Sequence, residues 1–216
     1  MERALDDQPV ETTLYSLSDA APRPGDRRDG DRHLTLFRVG SVMIGDRREL
    51  CLIKNISAGG MMVRAYCAIP EGTPLSIELK SGQPVSGRVT WIRDHNLGVS
   101  FDSAIDVLEI LSASADGPRP RMPRVEVNAI VTLRDGANIY RLPVCDISQG
   151  GLKLKGDPNL EHGCDLSVTL PNLPPQPAAL RWRADGHIGV SFNRLIPLAD
   201  LVAWLKGVRD SLRAAS

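Results

Sequence analysis

Three arginines stand close together in the segment RRDGDR, where Arg27 and Arg28 are adjacent and Arg32 follows after three residues. A guanidinium group offers five N–H donors in a planar fork that matches a phosphate or a carboxylate. The cluster therefore predicts a local anion site. Arginine runs are also typical of a solvated surface, so the cluster alone leaves both interpretations open.

A second pattern, NISAGG, places Asn55, Ser57 and Gly60 at the spacing N-x-S-x-x-G. Short polar side chains of this kind bond their own backbone, and glycine accepts backbone angles that other residues avoid. The segment predicts a tight turn. Whether it also contacts a ligand depends on what lies beside it in the fold.

Composition limits the functions that these residues can serve. The 216 residues include 26 lysines and arginines against 26 aspartates and glutamates, so no global field favours a nucleic acid polymer or a membrane surface. The four histidines are scattered, and no nucleophile, metal or phosphate-loop motif is present. We expect no catalytic residues and no metal site.

Features of targeting and redox state point to one compartment. The first 26 residues lack the apolar core of a signal peptide, and no stretch is long and apolar enough to span a membrane. The four cysteines form no C-x-x-C pair, which favours reduced core cysteines. We expect a cytoplasmic protein.

The chain repeats itself at an offset of 91 residues. NISAGG then falls on DISQGG, which starts at Asp146, and TWIRDHNLGVSF falls on RWRADGHIGVSF. Chance does not keep register over about fifty residues, so the sequence predicts two copies of one domain. The polar stretch 112–118 between them has the composition of a linker.

Each copy has the pattern of a small antiparallel barrel. About six short strands are separated by turn residues, with strand alternation over 125–133 and hairpin signals at Asp135-Gly136 and Asp185-Gly186. Helices are predicted from Ser103 to 111 and from Pro197 to 212. The fold class is mainly β, with two tandem six-stranded barrels that are each followed by a helix. Trp204 packs on its own barrel or offers a contact surface.

Together and in this order, RDGDR (28–32) and NISAGG (55–60) resemble the two motifs of the PilZ domain, R-x-x-x-R and D/N-x-S-x-x-G. The resemblance implies a receptor for cyclic di-GMP, with no other cofactor, and a ligand site at Arg27, Arg28, Arg32, Asn55, Ser57 and Gly60. It also implies that the arginine arm closes over the ligand. Arg27 favours a stacked pair of ligand molecules. The predicted parts are a flexible segment (1–26), barrel 1 (27–112), a linker (113–118) and barrel 2 (119–214).

The second copy departs from the arginine motif. Arg119 aligns with Arg28, but Pro123 takes the place of Arg32 and Arg124 arrives one residue late. Either this copy binds more weakly, or it is a degenerate barrel kept for contacts with the first barrel or a partner. The residues of the weaker second site would be Arg119, Arg121, Arg124, Asp146, Ser148 and Gly151.

Three functions compete at this point. The first is a cyclic di-GMP effector that signals to an unidentified downstream protein by domain rearrangement. The second is an adaptor with the PilZ fold that does not bind the nucleotide and acts through protein contacts. The third is a barrel for single-stranded nucleic acid, which 4% aromatic residues and zero net charge disfavour.

Overall fold

The structure is a computed structural model that describes residues 34–78, 84–112 and 122–214. Six strands of the first copy close into an antiparallel barrel in the order β1-β2-β3-β6-β5-β4. The elements are β1 (Leu34–Ile44), β2 (Arg47–Ser57), β3 (Gly60–Ala65), β4 (Pro74–Glu78), β5 (Pro84–Arg93), β6 (Asn96–Phe101) and α1 (Val107–Ser112). Apolar side chains alternate along these strands and fill the barrel, with Ile53, Ile56 and Ile77 fully buried in what we call the first core.

The second copy closes in the same way. Its sheet has seven strands in the order β10-β13-β12-β11-β8-β9-β7. A further pairing of β10 with β9 closes six of them into a barrel, and the short β7 pairs with β9. The elements are β7 (Val125–Glu126), β8 (Ile130–Asp135), β9 (Asn138–Ser148), β10 (Gly151–Lys155), β11 (Asp165–Thr169), β12 (Gln176–Ala184), β13 (His187–Phe192) and α2 (Leu198–Ala214). The predicted fold class is confirmed. Leu133, Leu152 and Ile188 are among the fully buried residues of the second core.

The strand predicted over 125–133 is interrupted at 127–129, between β7 and β8. Its alternation nevertheless holds, because Val125, Val131 and Leu133 are buried. The first barrel explains the break: β1 shifts register between Thr35 and Arg38 at the equivalent place. The same irregularity is therefore a bulge within the continuous strand β1 and a break between β7 and β8 in the second barrel.

Two hairpin turns were predicted from Asp-Gly pairs. Asp185 and Gly186 both have positive φ, 51° and 69°, as this turn type requires. At the other site Asp135 still pairs with Asn138, so the turn lies one residue later, at 136–137. There Gly136 provides the positive φ.

The helix starts differ from the predictions by a few residues. α1 begins after Asp106, whose carboxylate accepts a hydrogen bond from the Glu109 amide at 3.0 Å, so Asp106 takes the capping role expected of Ser103. For α2, the Pro197 carbonyl accepts from the Leu201 amide, which places the proline at the cap. In both cases the cap residue lies immediately before the first helical residue.

Helix α2 packs against the second barrel through the predicted apolar stripe. Leu201 and Leu205 are buried in the second core, and Trp204 is only 5% exposed there. The packing interpretation of Trp204 is therefore confirmed. In the part of the chain that the structure describes, no helix is both long enough and apolar enough to cross a membrane.

The two barrels share part of their packing. Leu50, on β2 of the first barrel, is buried in the second core, and Val39 on β1 packs against the same cluster. Glu49 forms an ion pair with Arg47 on its own strand, at 3.0 Å, and accepts a hydrogen bond from Arg209 on α2. Apolar burial and a charged pair therefore both hold β2 against α2.

We expect Leu50→Ala to loosen α2, because truncating a buried leucine removes packing from the second core although residue 50 belongs to the first barrel. The free energy needed to open α2 away from the second barrel should fall by about 2 to 4 kcal/mol. Hydrogen exchange measured by mass spectrometry should show faster exchange in α2. Leu108→Ala, at a side chain that is 72% exposed on α1, is the control. Unchanged exchange in α2 of the Leu50 variant would contradict the shared packing.

The four cysteines are free, but only Cys51 is a fully buried core residue. Burial raises the pKa of the Cys51 thiol to about 12. Because the thiolate is the reactive form, Cys51 should resist iodoacetamide at pH 8 in the native protein and react after unfolding in urea. Peptide mass spectrometry reads both states. Rapid native labelling of Cys51 would mean that the first core opens.

Candidate functional site

The N-x-S-x-x-G segment forms the hairpin between β2 and β3. The Ser57 hydroxyl donates to the Gly60 carbonyl at 3.1 Å, and Asn55 Oδ1 accepts from the Met62 amide at 3.0 Å. Both polar side chains thus stabilise the turn itself. An amide oxygen has a second lone pair and the amide nitrogen two donors, so Asn55 keeps bonding capacity for a ligand.

Gly60 is explained by a close approach of strands. It pairs with Ser100 of β6, and a Cβ at this position would overlap the Val99 carbonyl oxygen. Gly151 lies in the same relation to the Val190 carbonyl oxygen. In each barrel the glycine therefore allows two strands to lie close together, β3 with β6 and β10 with β13. That Gly60 also allows a ligand to come close stays a prediction.

Strand register places Asn55 in a row of residues that crosses five strands. Thr35 pairs with Asn55, Asn55 with Met62, Met62 with Gly98 and Gly98 with Trp91. We call these five residues the first row. Adjacent strands are about 4.8 Å apart, so the row spans roughly 19 Å. Its side chains are uncharged, and a ligand of nucleotide size could lie along it.

The tryptophan at the end of the first row lies flat on the barrel. A Cβ on Gly98 would occupy the position of the Trp91 indole, so the glycine makes room for the ring. Trp91 remains 41% exposed. An exposed indole face on a strand is a surface on which a flat group can stack.

The second barrel builds the same row from different side chains. Glu126 pairs with Asp146, Asp146 with Lys153, Lys153 with Gly189 and Gly189 with Trp182. We call these five residues the second row. The neutral Thr35, Asn55 and Met62 are thus replaced by two carboxylates and an ammonium group. The hairpin bond persists, since Ser148 donates to the Gly151 carbonyl at 3.1 Å.

Arg124 contacts the second row directly. Its Nη1 lies 2.5 Å from Asp146 Oδ1. The 91-residue offset aligns Arg124 with His33 in the sequence of the first copy. Asp146 is the first residue of the D-x-S-x-x-G motif, so the ion pair occupies one of the carboxylate oxygens that the motif would offer to a ligand.

A polar cavity of about 650 Å³ lies where this ion pair meets the first barrel. Four arginines and three acidic residues line it, with Arg47 and Arg48 coming from the β1–β2 hairpin. All four arginines are already bonded to carboxylates: Arg47 and Arg209 to Glu49, Arg48 to Glu78, and Arg124 to Asp146. The cavity is thus a charge-compensated part of the interface between the barrels.

The structure thus brings together the residues of the D/N-x-S-x-x-G hairpin in each barrel. It also places Arg124 in contact with Asp146 of the hairpin in the second barrel. The remaining arginines of the prediction, Arg27, Arg28, Arg32, Arg119 and Arg121, lie outside the described residues. Met62, Thr35 and Trp91 are not among the site residues that the sequence motifs predict. One signal was available: both copies have a tryptophan seven residues before a glycine, at Trp91 and Trp182.

The histidines that the structure describes have ordinary environments. His95 occupies a turn with φ of 64°, and His162 Nε2 and His187 Nδ1 each lie 2.8 Å from a backbone carbonyl oxygen. Among the described residues, no group of three or more histidine, cysteine or acidic side chains could hold a metal ion. The described residues thus offer surfaces on which a ligand could bind.

Comparison with known proteins identifies the class of this fold and then the family. The architecture is a pair of closed six-stranded antiparallel barrels with following helices. The PilZ domain model matches residues 26–112 and again residues 118–207. The chain therefore belongs to the PilZ domain family, with two domains in tandem. No curated protein sequence matches significantly.

Solved structures give distant similarities. PlzA from Borreliella burgdorferi, in complex with c-di-GMP, aligns at 11% identity and a TM-score of 0.36, over 80% of this chain and 87% of that one. MotI (DgrA), the inhibitor of motility from Bacillus subtilis, gives 14% and 0.33, over 81% and 95%. YcgR from Escherichia coli, in complex with c-di-GMP, gives 12% and 0.31, over 83% and 85%.

The hairpin geometry predicts how each glycine responds to substitution. Gly60→Ala and Gly151→Ala should each lower the free energy of unfolding by about 1 to 3 kcal/mol, because the new methyl group meets a backbone oxygen. Gly59→Ala should be nearly neutral, since nothing lies within 4 Å of its Cβ position. Thermal unfolding without ligand measures all three. Equal stability of the Gly59 and Gly60 variants would show that Gly60 is not needed for strand packing.

Proposed function

We propose that this protein is a cyclic di-GMP receptor whose binding site is the first row together with the arginines that precede β1. The observation that carries the proposal is the position of Asn55. Asn55 lies on β2, which pairs with the first residues of β1. The R-x-x-x-R motif ends at Arg32, two residues before β1 begins. Chain connectivity therefore favours a common site for the two family motifs of the first copy.

Chain connectivity supports this adjacency. Leu34 pairs with Ile56, next to Asn55 in β2. Two residues span at most about 7 Å, so the sequence separation of Arg32 from Leu34 is short enough for an arginine side chain to reach a ligand on the first row. Arg28 and Arg27 precede Arg32 by four and five residues.

The ligand matches these groups chemically. Cyclic di-GMP carries two phosphates, which guanidinium groups bind through paired hydrogen bonds, and two guanines, whose O6 and N7 accept from arginine. Asn55 offers its remaining amide groups to a guanine edge, and Trp91 offers a flat surface. Arg27 supports a second, stacked ligand molecule at the same site.

Electrostatics favour the first barrel over the second. The first row contains no carboxylate, whereas Glu126 and Asp146 are paired neighbours in the second row. Two carboxylates at that spacing repel a phosphodiester, and Lys153 offsets only one of the two charges. Arg124 is already bonded to Asp146. We assign the second barrel to interdomain contact.

Signalling follows from linkage between the site and the interface. Ligand binding orders the arginine arm, and through β1 and β2 it biases the contact of the first barrel with α2, where Leu50 and Glu49 lie. An unidentified downstream protein then recognises the altered arrangement. This is a cytoplasmic binding function in which the nucleotide is a signal, and neither catalysis nor a nucleic acid polymer is part of it.

Calorimetric titration of cyclic di-GMP into the purified protein tests the proposal. We expect micromolar or tighter binding of two ligand molecules per chain. Arg28→Ala/Arg32→Ala should weaken it by more than a hundred-fold, because each charge-assisted contact contributes about 1.5 to 3 kcal/mol. GMP should give no comparable heat.

Arg119→Ala/Arg121→Ala is the matched control, since it removes the same charge from the second copy. It should leave affinity and stoichiometry unchanged. A reduced stoichiometry in this control would assign ligand to the second barrel. Absence of heat with the parent protein would refute the receptor function and leave the adaptor.

A further inference from the structure

Phe37 is the large apolar residue of β1 that faces outward, and its side chain is 71% exposed. Its neighbour Leu36 packs against the first core, so the two side chains lie on opposite sides of the strand. The chain has three phenylalanines, and the other two, Phe101 and Phe192, are buried at the ends of β6 and β13. Packing of the barrel therefore does not explain Phe37.

The position of Phe37 relates it to the first row. It lies two residues from Thr35, on the same side of β1, and Thr35 pairs with Asn55. Residues two apart on one face of a strand are about 6.8 Å apart, within the reach of a phenyl ring. The pairing of β1 with β2 shifts register between Thr35 and Arg38. Leu36, which lies between Thr35 and Phe37, packs against the first core while both neighbours are exposed, so the two still face the same side of β1.

The second barrel lacks this feature. Asn128 is the residue that the 91-residue offset places at Phe37, and it lies in the break between β7 and β8. The second barrel thus has no ring at the position of Phe37. Exposed rings lie at both ends of the first row, Phe37 and Trp91, but only at the Trp182 end of the second row.

We propose that Phe37 is a ligand-contacting residue that stacks on a purine base held at the first row. This inference rests on the proposed function and names a further residue of the same site. A phenyl ring has no hydrogen-bonding group, so it contributes a flat π-surface, while Asn55 and the arginines provide the polar contacts. Trp91, at the opposite end of the row, presents a second exposed ring.

Calorimetry with cyclic di-GMP tests this role, with the parent protein titrated first. Phe37→Ala should weaken binding by about ten-fold, within the range found when base-stacking aromatics are replaced by alanine. Phe37→Trp should bind at least as tightly as the parent, because its ring still stacks. Phe37→Leu should bind as weakly as the alanine variant, since leucine is apolar without a π-face.

Leu108→Ala is the matched control, because Leu108 is 72% exposed and therefore equal to Phe37 in exposure. It should bind like the parent. All variants should melt at the parent's temperature without ligand, which separates a contact with ligand from a role in folding.

Two results would overturn the inference while the receptor function stands: parent-like affinity of Phe37→Ala, or full rescue by Phe37→Leu. Failure of the parent protein to bind would instead refute the receptor function itself, and the role of Phe37 with it. The order of the titrations therefore distinguishes the two failures.

Discussion

The close contact between β3 and β6 at Gly60 is the constraint on which the rest of the first barrel depends. Because no Cβ fits between Gly60 and the Val99 carbonyl, the glycine holds the two strands in one register. The hairpin bonds of Ser57 and Asn55 fix β2 to β3 in the same way. Register then propagates around the barrel and aligns Thr35, Asn55, Met62, Gly98 and Trp91. Residues of a motif that stabilise a turn therefore also determine which side chains stand beside it.

The duplication shows that this framework and the surface chemistry are separable. The second barrel keeps the serine bond, the glycine contact and the tryptophan over glycine. It nevertheless replaces three neutral side chains of the row by Glu126, Asp146 and Lys153. Framework residues are constrained by strand packing, whereas outward positions are free to change charge. A D/N-x-S-x-x-G match on its own is consequently evidence for the hairpin, and the row around it decides what the hairpin can bind.

The sequence predicted the parts of the fold that local pattern controls. Six strands per copy, closure, the turn at Asp185 and the stripe of α2 all follow from alternation, turn chemistry and helical spacing, and the structure confirms them. The break at 127–129 and the start of α1 depend on a bulge and on a competition between caps, which single residues do not reveal. Leu50 is a similar case. An apolar residue on a strand looks the same in sequence whether it faces its own core or a neighbouring domain.

Part of the candidate site could also be predicted from the sequence. The hairpin residues were identified from spacing, but Met62 and Trp91 join them only through pairings across three further strands. Those pairings depend on register shifts in β2 and β5, where one residue on each strand is left without a partner. A shift of one residue reverses the face of every side chain beyond it. Membership of the row is therefore a property of the closed barrel and not of any short segment.

In the proposed function, the same geometry would connect the site on the first barrel to the second barrel. Along the outward face of β1, Thr35 belongs to the first row, Phe37 follows it, and Val39 packs against the second core. The distance from the row to the interface is thus four residues, about 13 Å along a strand. Over this segment β1 is paired with β2, and its pairing with β4 begins at Ser41. Under the proposed function, a ligand that repositions the first residues of β1 would therefore act on the interface through β2. The size of that effect is limited by the difference in ligand affinity between the two arrangements of the barrels. Val39, Leu50 and the pair of Glu49 with Arg209 are the contacts through which the proposed coupling would act.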